Sequence, residues 1–295
     1  MQAISHIVVG TDFSAEADLA VQRAALISKA LKATLHLIHI VHPLDLYAGS
    51  ELPFSLQTHY QQAQQETVKT QIDTLAFKLR EQFNISAEAV TRVGRAHTEI
   101  AHYADSVHAK LVVVGAQGEH TLLEKLIGST SARLMAVTKC ATLIVKNKNP
   151  AVPPYRHVVA AVNFSAGAEK VPALTRTIAP DAHVEGLLIF DTNQEAHMYK
   201  AGINETLLQQ YRDHALAEAE RKLSEIFSEQ LLGGKVSTTI LSGYPSQSIC
   251  KHALAQQADL IVIGKNEKSG IESWLLGSVS KGVAYTATCD VLLTN

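Results

Sequence analysis

One spacing decides most of what this chain can become. Gly94 and Gly243, Gly115 and Gly264, Gly128 and Gly277, and Cys140 and Cys289 each stand 149 residues apart. A fixed offset held at so many points marks a tandem duplication. The 295 residues therefore read as two copies of one domain, which is also what the length favours. The stretch Asn147 to Pro154, NKNPAVPP, is polar and rich in proline, as a boundary between domains should be. The expected division is a first domain at 1–147, a linker at 148–155 and a second domain at 156–295.

Within each copy, short apolar runs alternate with longer amphipathic ones. In the first, Ile4 to Val9 predicts a buried strand. Ser14, followed by Ala15, Glu16 and Ala17, predicts a helix N-cap with an acidic first turn. Its helix runs to about Lys32 with Ala20, Ala24, Ile27 and Leu31 on one face. A strand over Thr34 to Val41 ends at His42-Pro43. A loose region follows from Leu44 to about Leu56, a candidate flap over the strand ends, and then a polar helix from about Thr58 to Gln82. Further strands are expected at Ile85 to Val93, Leu111 to Val114 and Ala141 to Val145, with helices at about Thr98 to Ser106 and at Ser129 to Val137. The second copy repeats the order, with strands at Arg156 to Val162, Val184 to Phe190, about Val236 to Leu241, Leu260 to Ile263 and Val291 to Thr294, and a long helix at about Leu207 to Phe227. Apolar strands alternating with helices predict an α/β fold of two tandem doubly wound domains, each with a five-stranded parallel sheet covered on both faces. The short last strands at equivalent places suggest that the halves pair face to face as a pseudo-dimer. In such sheets ligands sit beyond the carboxyl ends of the strands, at the point where strand order reverses. Asp12, Ile40 and Gly115 all lie at such ends.

Composition narrows the partners. Net charge is −2 and no block of Lys and Arg occurs, which argues against a general nucleic-acid or anionic-membrane binder. No apolar run approaches a membrane span, and the opening MQAISHIVVG does not read as a signal peptide. The three cysteines, Cys140, Cys250 and Cys289, are far apart and form no Cys-x-x-Cys pair; they read as free, small hydrophobes in a reducing cytoplasm.

The stretch with most chemistry is Leu111 to Lys146. Gly115 and Gly118 follow the strand at once, nine residues separate Gly118 from Gly128, and Ser129, Thr130 and Ser131 open a helix. Glycines allow backbone N–H groups to approach phosphate oxygens closely. A helix starting at Ser129, taken as its N-cap, would aim its unsatisfied N–H groups and positive dipole end at an anion.

Together these features resemble the universal stress protein family, in a form with two domains in one chain. Gly115, Gly118, Gly128 and Ser129 match the family's Gly-x2-Gly-x9-Gly-Ser/Thr pattern. Asp12, within Thr11-Asp12-Phe13-Ser14, matches its aspartate after strand one, and Ile38-His39-Ile40 resembles its Leu-His-Val. The resemblance covers both halves outside the linker. It implies an adenine nucleotide alpha hydrolase-like domain that binds ATP in the first half. Thr11 and Asp12 would lie at the nucleoside end and the Ile40 backbone at the adenine. Gly115, Gly118, Gly128, Ser129, Thr130 and Ser131 would line the phosphates, which often carry a divalent ion such as Mg²⁺. A carboxylate suits a ribose hydroxyl or adenine amine, and hydroxyl and N–H donors suit phosphate oxygens.

The second half departs from the pattern. Glu267 stands where Gly118 would be, and its carboxylate would oppose a phosphate. Lys265 and Lys268 flank it, Asn163 replaces Asp12, and Ala161 replaces Gly10. The expectation is one nucleotide per chain, bound in the first half, with the second half a structural or regulatory partner or the holder of a different ligand.

Bland readings compete at several residues. Ser14 is the better helix cap, which leaves Asp12 for a ligand, whereas Ser131 can simply belong to a first helical turn. His36, His39 and His42 point to alternating faces, and His97, His102 and His108 do not stack on a helix. No His-Glu-x-x-His occurs, so the histidines read as solvated or hydrogen-bonded, with no metal site; His120 lies inside the glycine loop, within reach of a phosphate. Dinucleotide, P-loop and nucleophile-elbow motifs are missing. No general base is placed for catalysis, so the expected activity is binding, with ATP hydrolysis slow at most. Protein partners, a further homodimer and a purely interaction-based or slow adenylyl-transferring role stay open.

Overall fold

The computed structural model describes residues 3–41, 54–118, 127–165, 168–191, 204–230, 235–265 and 276–294, together with 199 and 202. His42, Pro43, most of the Leu44–Leu56 region, His120, Glu267 and Lys268 lie outside them. The chain divides into two compact units, with the break between Val152 and Pro153.

In the first unit, β1 (His6–Gly10), α1 (Ala15–Leu31), β2 (Thr34–Val41), α2 (Phe54–Phe83), β3 (Ala87–Val93), α3 (Ala96–Ser106), β4 (Leu111–Gly115), α4 (Ser129–Val137) and β5 (Ala141–Val145) follow in order. The strands lie side by side as β3-β2-β1-β4-β5, all parallel. Order therefore reverses between β1 and β4, and the loops that leave those two strands open a crevice at their carboxyl ends. Parallel strands need covering on both sides. Accordingly Ile7, Val8 and Val9 of β1 and Leu111, Val112 and Val113 of β4 are wholly buried. Helices α1 and α2 pack on each other, as do α3 and α4.

Local chemistry sets the helix starts. Ser14 caps α1 by accepting a hydrogen bond from the Ala17 N–H at 3.2 Å, as its sequence predicts, and Glu16 and Asp18 complement the dipole in the first turn. At α4 the expectation needs correction. Gly128 is the N-cap, in extended conformation, and Ser129, Thr130 and Ser131 are the first three helical residues. The Ala132 N–H already reaches back to the Gly128 carbonyl at 3.0 Å, which places the first helical turn one residue earlier than a Ser129 cap allows. Helix α2 also begins earlier than expected, at Phe54. Gly94, which turns β3 into α3, has φ +149°, and a Cβ there would meet Glu99 Cγ at 2.9 Å. Only glycine tolerates both conditions.

The second unit contains β6 (His157–Val162), α5 (Lys170–Ile178), β7 (His183–Asp191), α6 (Glu205–Gln230), β8 (Val236–Gly243), α7 (Pro245–Ala255), β9 (Leu260–Gly264), α8 (Ser278–Thr286) and β10 (Asp290–Thr294). Its strands are parallel in the order β8-β7-β6-β9-β10, the same winding as the first. Its core is filled differently at β7. Gly186 of β7 leaves room for Phe227 of α6, a wholly buried ring, and a Cβ on Gly186 would meet Phe227 Cε2 at 2.5 Å.

Candidate functional site: the crevice between β1 and β4

The crevice is built by three short segments. The first is Thr11 to Ser14, at the exit of β1. The Thr11 N–H donates to the Ile38 carbonyl of β2 at 3.0 Å, and Thr11 is buried, so this turn is anchored to the neighbouring strand. Phe13 takes the left-handed conformation, φ 63°, which costs a residue with a Cβ. Three contacts hold it there: its N–H donates to Thr11 Oγ1 at 3.0 Å, its ring stacks on His39 with centroids 4.8 Å apart, and His39 Nδ1 hydrogen-bonds the Thr11 carbonyl at 2.9 Å.

The reversed turn aims Asp12 into the crevice. Oδ1 accepts from the Ser14 N–H at 3.1 Å and the Ser14 hydroxyl at 2.6 Å. Ser14 thus joins helix α1 to the aspartate, and Asp12 is itself part of the capping arrangement. Oδ2 occupies the space where a Cβ on Gly118 would sit. Asp12 and Gly118, 106 positions apart in the sequence, are therefore in contact, and Gly118 must lack a side chain for the carboxylate to lie where it does. Asp18, a turn along α1, has its carboxyl pushed up by burial first and then by the negative charge of Asp12, with Lys78 opposing.

The second segment is Gly115 to Gly118 and the third is Ile127 to Ser131. They are clasped together. Ala116 N–H continues the sheet onto the Val145 carbonyl at 2.8 Å, and Gly128 N–H donates to the Ala116 carbonyl at 2.7 Å. The Ser131 hydroxyl, buried, donates to the Gly115 carbonyl at 2.7 Å. Ser131 therefore ties α4 to β4 through the hydroxyl that the family resemblance would place among the phosphate ligands. A Cβ on Gly115 would crowd the Glu16 carbonyl oxygen at 3.1 Å and the Gln117 carbonyl oxygen at 3.2 Å, so this glycine lets the start of α1 approach β4. Because Gly128 has no side-chain oxygen, the N–H groups that open α4 are left for another acceptor. Ile40 stands one strand away on β2, opposite Arg92 of β3, with its side chain buried.

The equivalent place in the second half is altered. Asn163 accepts from the Ser165 hydroxyl and N–H as Asp12 does from Ser14, without the charge. Gly277 caps α8, and Ser280 repeats the Ser131 bond by donating to the Lys265 carbonyl at 2.8 Å. Val279 stands in place of Thr130 and removes a hydroxyl. No described atom lies within 4 Å of a Cβ on Gly264, in contrast to Gly115.

Comparison with known proteins agrees with this architecture. The universal stress protein family profile matches residues 3–146 and again 154–295. The chain belongs to the universal stress protein family. A universal stress protein of Mycobacterium tuberculosis is 26% identical over 296 residues, spanning 97% of this chain and 95% of its own. Another from the same species is 24% identical over 297 residues, 97% and 96% of the two chains. Among solved structures, a universal stress protein from Archaeoglobus fulgidus superposes with a TM-score of 0.72 at 17% identity, over 100% of this chain and 99% of its own. A functionally unknown protein from Pseudomonas aeruginosa gives 0.67 at 20% identity, over 99% and 92%. These likenesses establish a tandem family member with two family-like halves.

His39 and Phe13 are the site residues that sequence reasoning passes over. His39 stands inside a recognisable strand end, but along the chain it is one histidine among many. Strand alternation separates it from His36 and turns it toward the β1 exit, which is the signal that could single it out. Among the described residues no group of His, Cys, Asp and Glu is arranged to hold a metal ion, and no helix is long and apolar enough to cross a membrane.

Proposed function

We propose that the first half binds ATP, one nucleotide per chain, and that the protein acts in the cytoplasm as a nucleotide-dependent sensor or adaptor of the stress response. The observation that carries the reading is the contact between Asp12 and Gly118. It sets a carboxylate from β1 against a side-chain-free loop from β4, beside a helix start whose cap offers no side-chain oxygen. The residues suit the ligand. Asp12 accepts a ribose hydroxyl or adenine amine, and the N–H groups and hydroxyls of Ser129 and Thr130 donate to phosphate oxygens. Mg²⁺ would accompany the triphosphate as its counter-ion. Ser131 acts from behind, fixing α4 to Gly115. In the second half the change of Asp12 to Asn163, Gly118 to Glu267 and Thr130 to Val279 removes a carboxylate, a gap and a donor, which supports a single site.

The test is to denature the purified chain, identify released nucleotide by mass spectrometry, and count it per chain. Near one ATP or ADP per chain, lost in Gly118→Glu, is expected. Two per chain would overturn the single-site reading. None, together with no heat of binding when ATP and Mg²⁺ are titrated in, would overturn nucleotide binding and leave a protein-interaction module.

A further inference from the structure

The two halves carry related polar clusters under α3 and α7, and the chemistry at their centres is exchanged. In the first half His36 of β2 is buried, at 3% exposure. Its Nε2 lies 3.0 Å from His6 Nδ1 of β1, and its Nδ1 lies 3.0 Å from the Tyr103 hydroxyl of α3 and 3.2 Å from Glu88 Oε2 of β3. Arg92 of β3 sits over the Tyr103 ring at 5.3 Å. In the second half the repeat places Glu185 where His36 stands, His252 where Tyr103 stands and His157 where His6 stands. Glu185 Oε1 accepts from Thr239 Oγ1 of β8 at 2.5 Å and from His252 Nε2 of α7 at 2.9 Å, and Oε2 faces His157 Nε2 of β6 at 3.6 Å. His157 Nδ1 hydrogen-bonds the Gln256 carbonyl. Its Nε2 is buried without a hydrogen-bond partner. His183 hydrogen-bonds Ser237 beside it, and Asp259 accepts from the His157 N–H at 3.0 Å.

These two arrangements answer acid in opposite ways. The His6–His36 contact holds one hydrogen between two imidazoles. A second hydrogen in that gap turns two N–H groups against each other 3.0 Å apart and adds a positive charge at the buried His36 ring, with Glu88 the facing carboxylate and more than half exposed. The second half instead sets imidazoles around a carboxylate, with Glu185 Oε1 bonded to His252 and Oε2 facing His157, so positive charge gathered there meets a carboxylate rather than a second imidazole. We propose that the chain is built with an acid-sensitive first half and an acid-resistant second half: protonation at His36 in mildly acidic conditions opens the β1–β2–α3 corner, while β6, β7 and α7 hold.

Burial, ahead of His6, lowers the His36 imidazole below its ordinary 6.5, with Glu88 opposing. The unfolded chain then binds the proton first, so the stability held at neutral pH declines as pH falls below about 6.5 toward the folded value. For Glu185, burial pushes upward, but the bonds from Thr239 and His252 and the imidazole charges outweigh it and hold the carboxyl below 4.5. Its contribution is present above that range and is lost only as pH falls through the lowered folded value. The two windows are thus separate.

The experiment is hydrogen exchange on the intact chain at about pH 7 and about pH 5, corrected for intrinsic rates, with His36→Gln alongside. Peptides covering β1, β2 and α3 should lose protection by about fivefold or more, peptides covering β6, β7 and α7 should not, and His36→Gln should abolish the difference. Equal loss in both halves, no loss in the first, or loss persisting in His36→Gln overturns the proposal. Should His36→Gln fail to fold, the imidazole resonances of the wild-type chain decide it. A His36 ring that titrates together with the opening supports the switch, and one still neutral after α3 has opened overturns it. The link to the crevice, which rests on the nucleotide reading, runs through β2, because Ile38 and His39 hold Thr11 and Phe13. ATP affinity should fall over the same pH interval. A chain that binds no ATP at any pH overturns the nucleotide reading, and the exchange result still decides this one.

Discussion

At the residue scale the decisive contact is Asp12 against Gly118. A methyl group at 118 must move the carboxylate or the loop. Gly118→Ala should therefore weaken ATP binding by about tenfold or more, corresponding to the ~1–3 kcal/mol typical of forced overpacking. The measurement is calorimetric titration, with Asp12→Ala beside it. The double variant should lose little more than either alone, because both remove one arrangement; additive losses would mean that Gly118 acts independently of Asp12. The sequence shows both residues and their residue types, but not the contact. The spacing of glycines is legible along the chain, whereas the meeting of two loops 106 positions apart depends on strand order. His39 shows the same limit. A histidine that hydrogen-bonds the Thr11 carbonyl and stacks on Phe13 looks no different in sequence from one that faces solvent.

At the element scale, β1, β4 and β5 are legible because parallel strands are short continuous apolar runs, and α1 because Ser14 and its acidic first turn are strong start signals. The start of α4 is not, since a serine looks like the better cap until the Gly128 carbonyl is seen accepting from Ala132. Ser131, which the resemblance sets among the phosphate ligands, places its hydroxyl on the Gly115 carbonyl. Replacing it should show which link it serves. Ser131→Ala should lower stability by about 1–3 kcal/mol, the cost of leaving a buried acceptor without its donor, read from denaturant midpoints. ATP affinity should follow only as far as α4 shifts. In the second half, Gly186→Ala should force the Phe227 ring from its place between β7 and α6. A loss of about 1–3 kcal/mol is expected in thermal unfolding. Phe227→Ala should cost about 3–5 kcal/mol through the cavity it leaves. The first half has Leu37, wholly buried, where β7 has Gly186, so the first copy fills that place from the strand and the second from the helix.

At the scale of the whole molecule, the 149-residue offset makes the duplication and the fold class visible along the chain itself. The strand orders of the two units match that expectation. What the offset does not show is how unequal the copies have become. The proposed single site predicts that Asn163→Asp combined with Glu267→Gly should raise bound nucleotide per chain toward two, counted by mass spectrometry after denaturation. A count that stays at one would mean that Val279 or the rest of the loop keeps the second half closed to ATP.

The exchanged clusters have a consequence for how such a gene can change. Duplicated coding segments are prone to overwrite one another by gene conversion, which erases differences between copies. Here a tract carrying α7 into the place of α3 would set His252 against His36, and the reverse tract would set Tyr103 against Glu185. Each would change the partner of a buried polar group whose other member lies in a different segment. A tract that moves one segment alone therefore re-partners a buried polar group, and the buried histidine and glutamate tie α3 and α7 each to the second strand of its own copy.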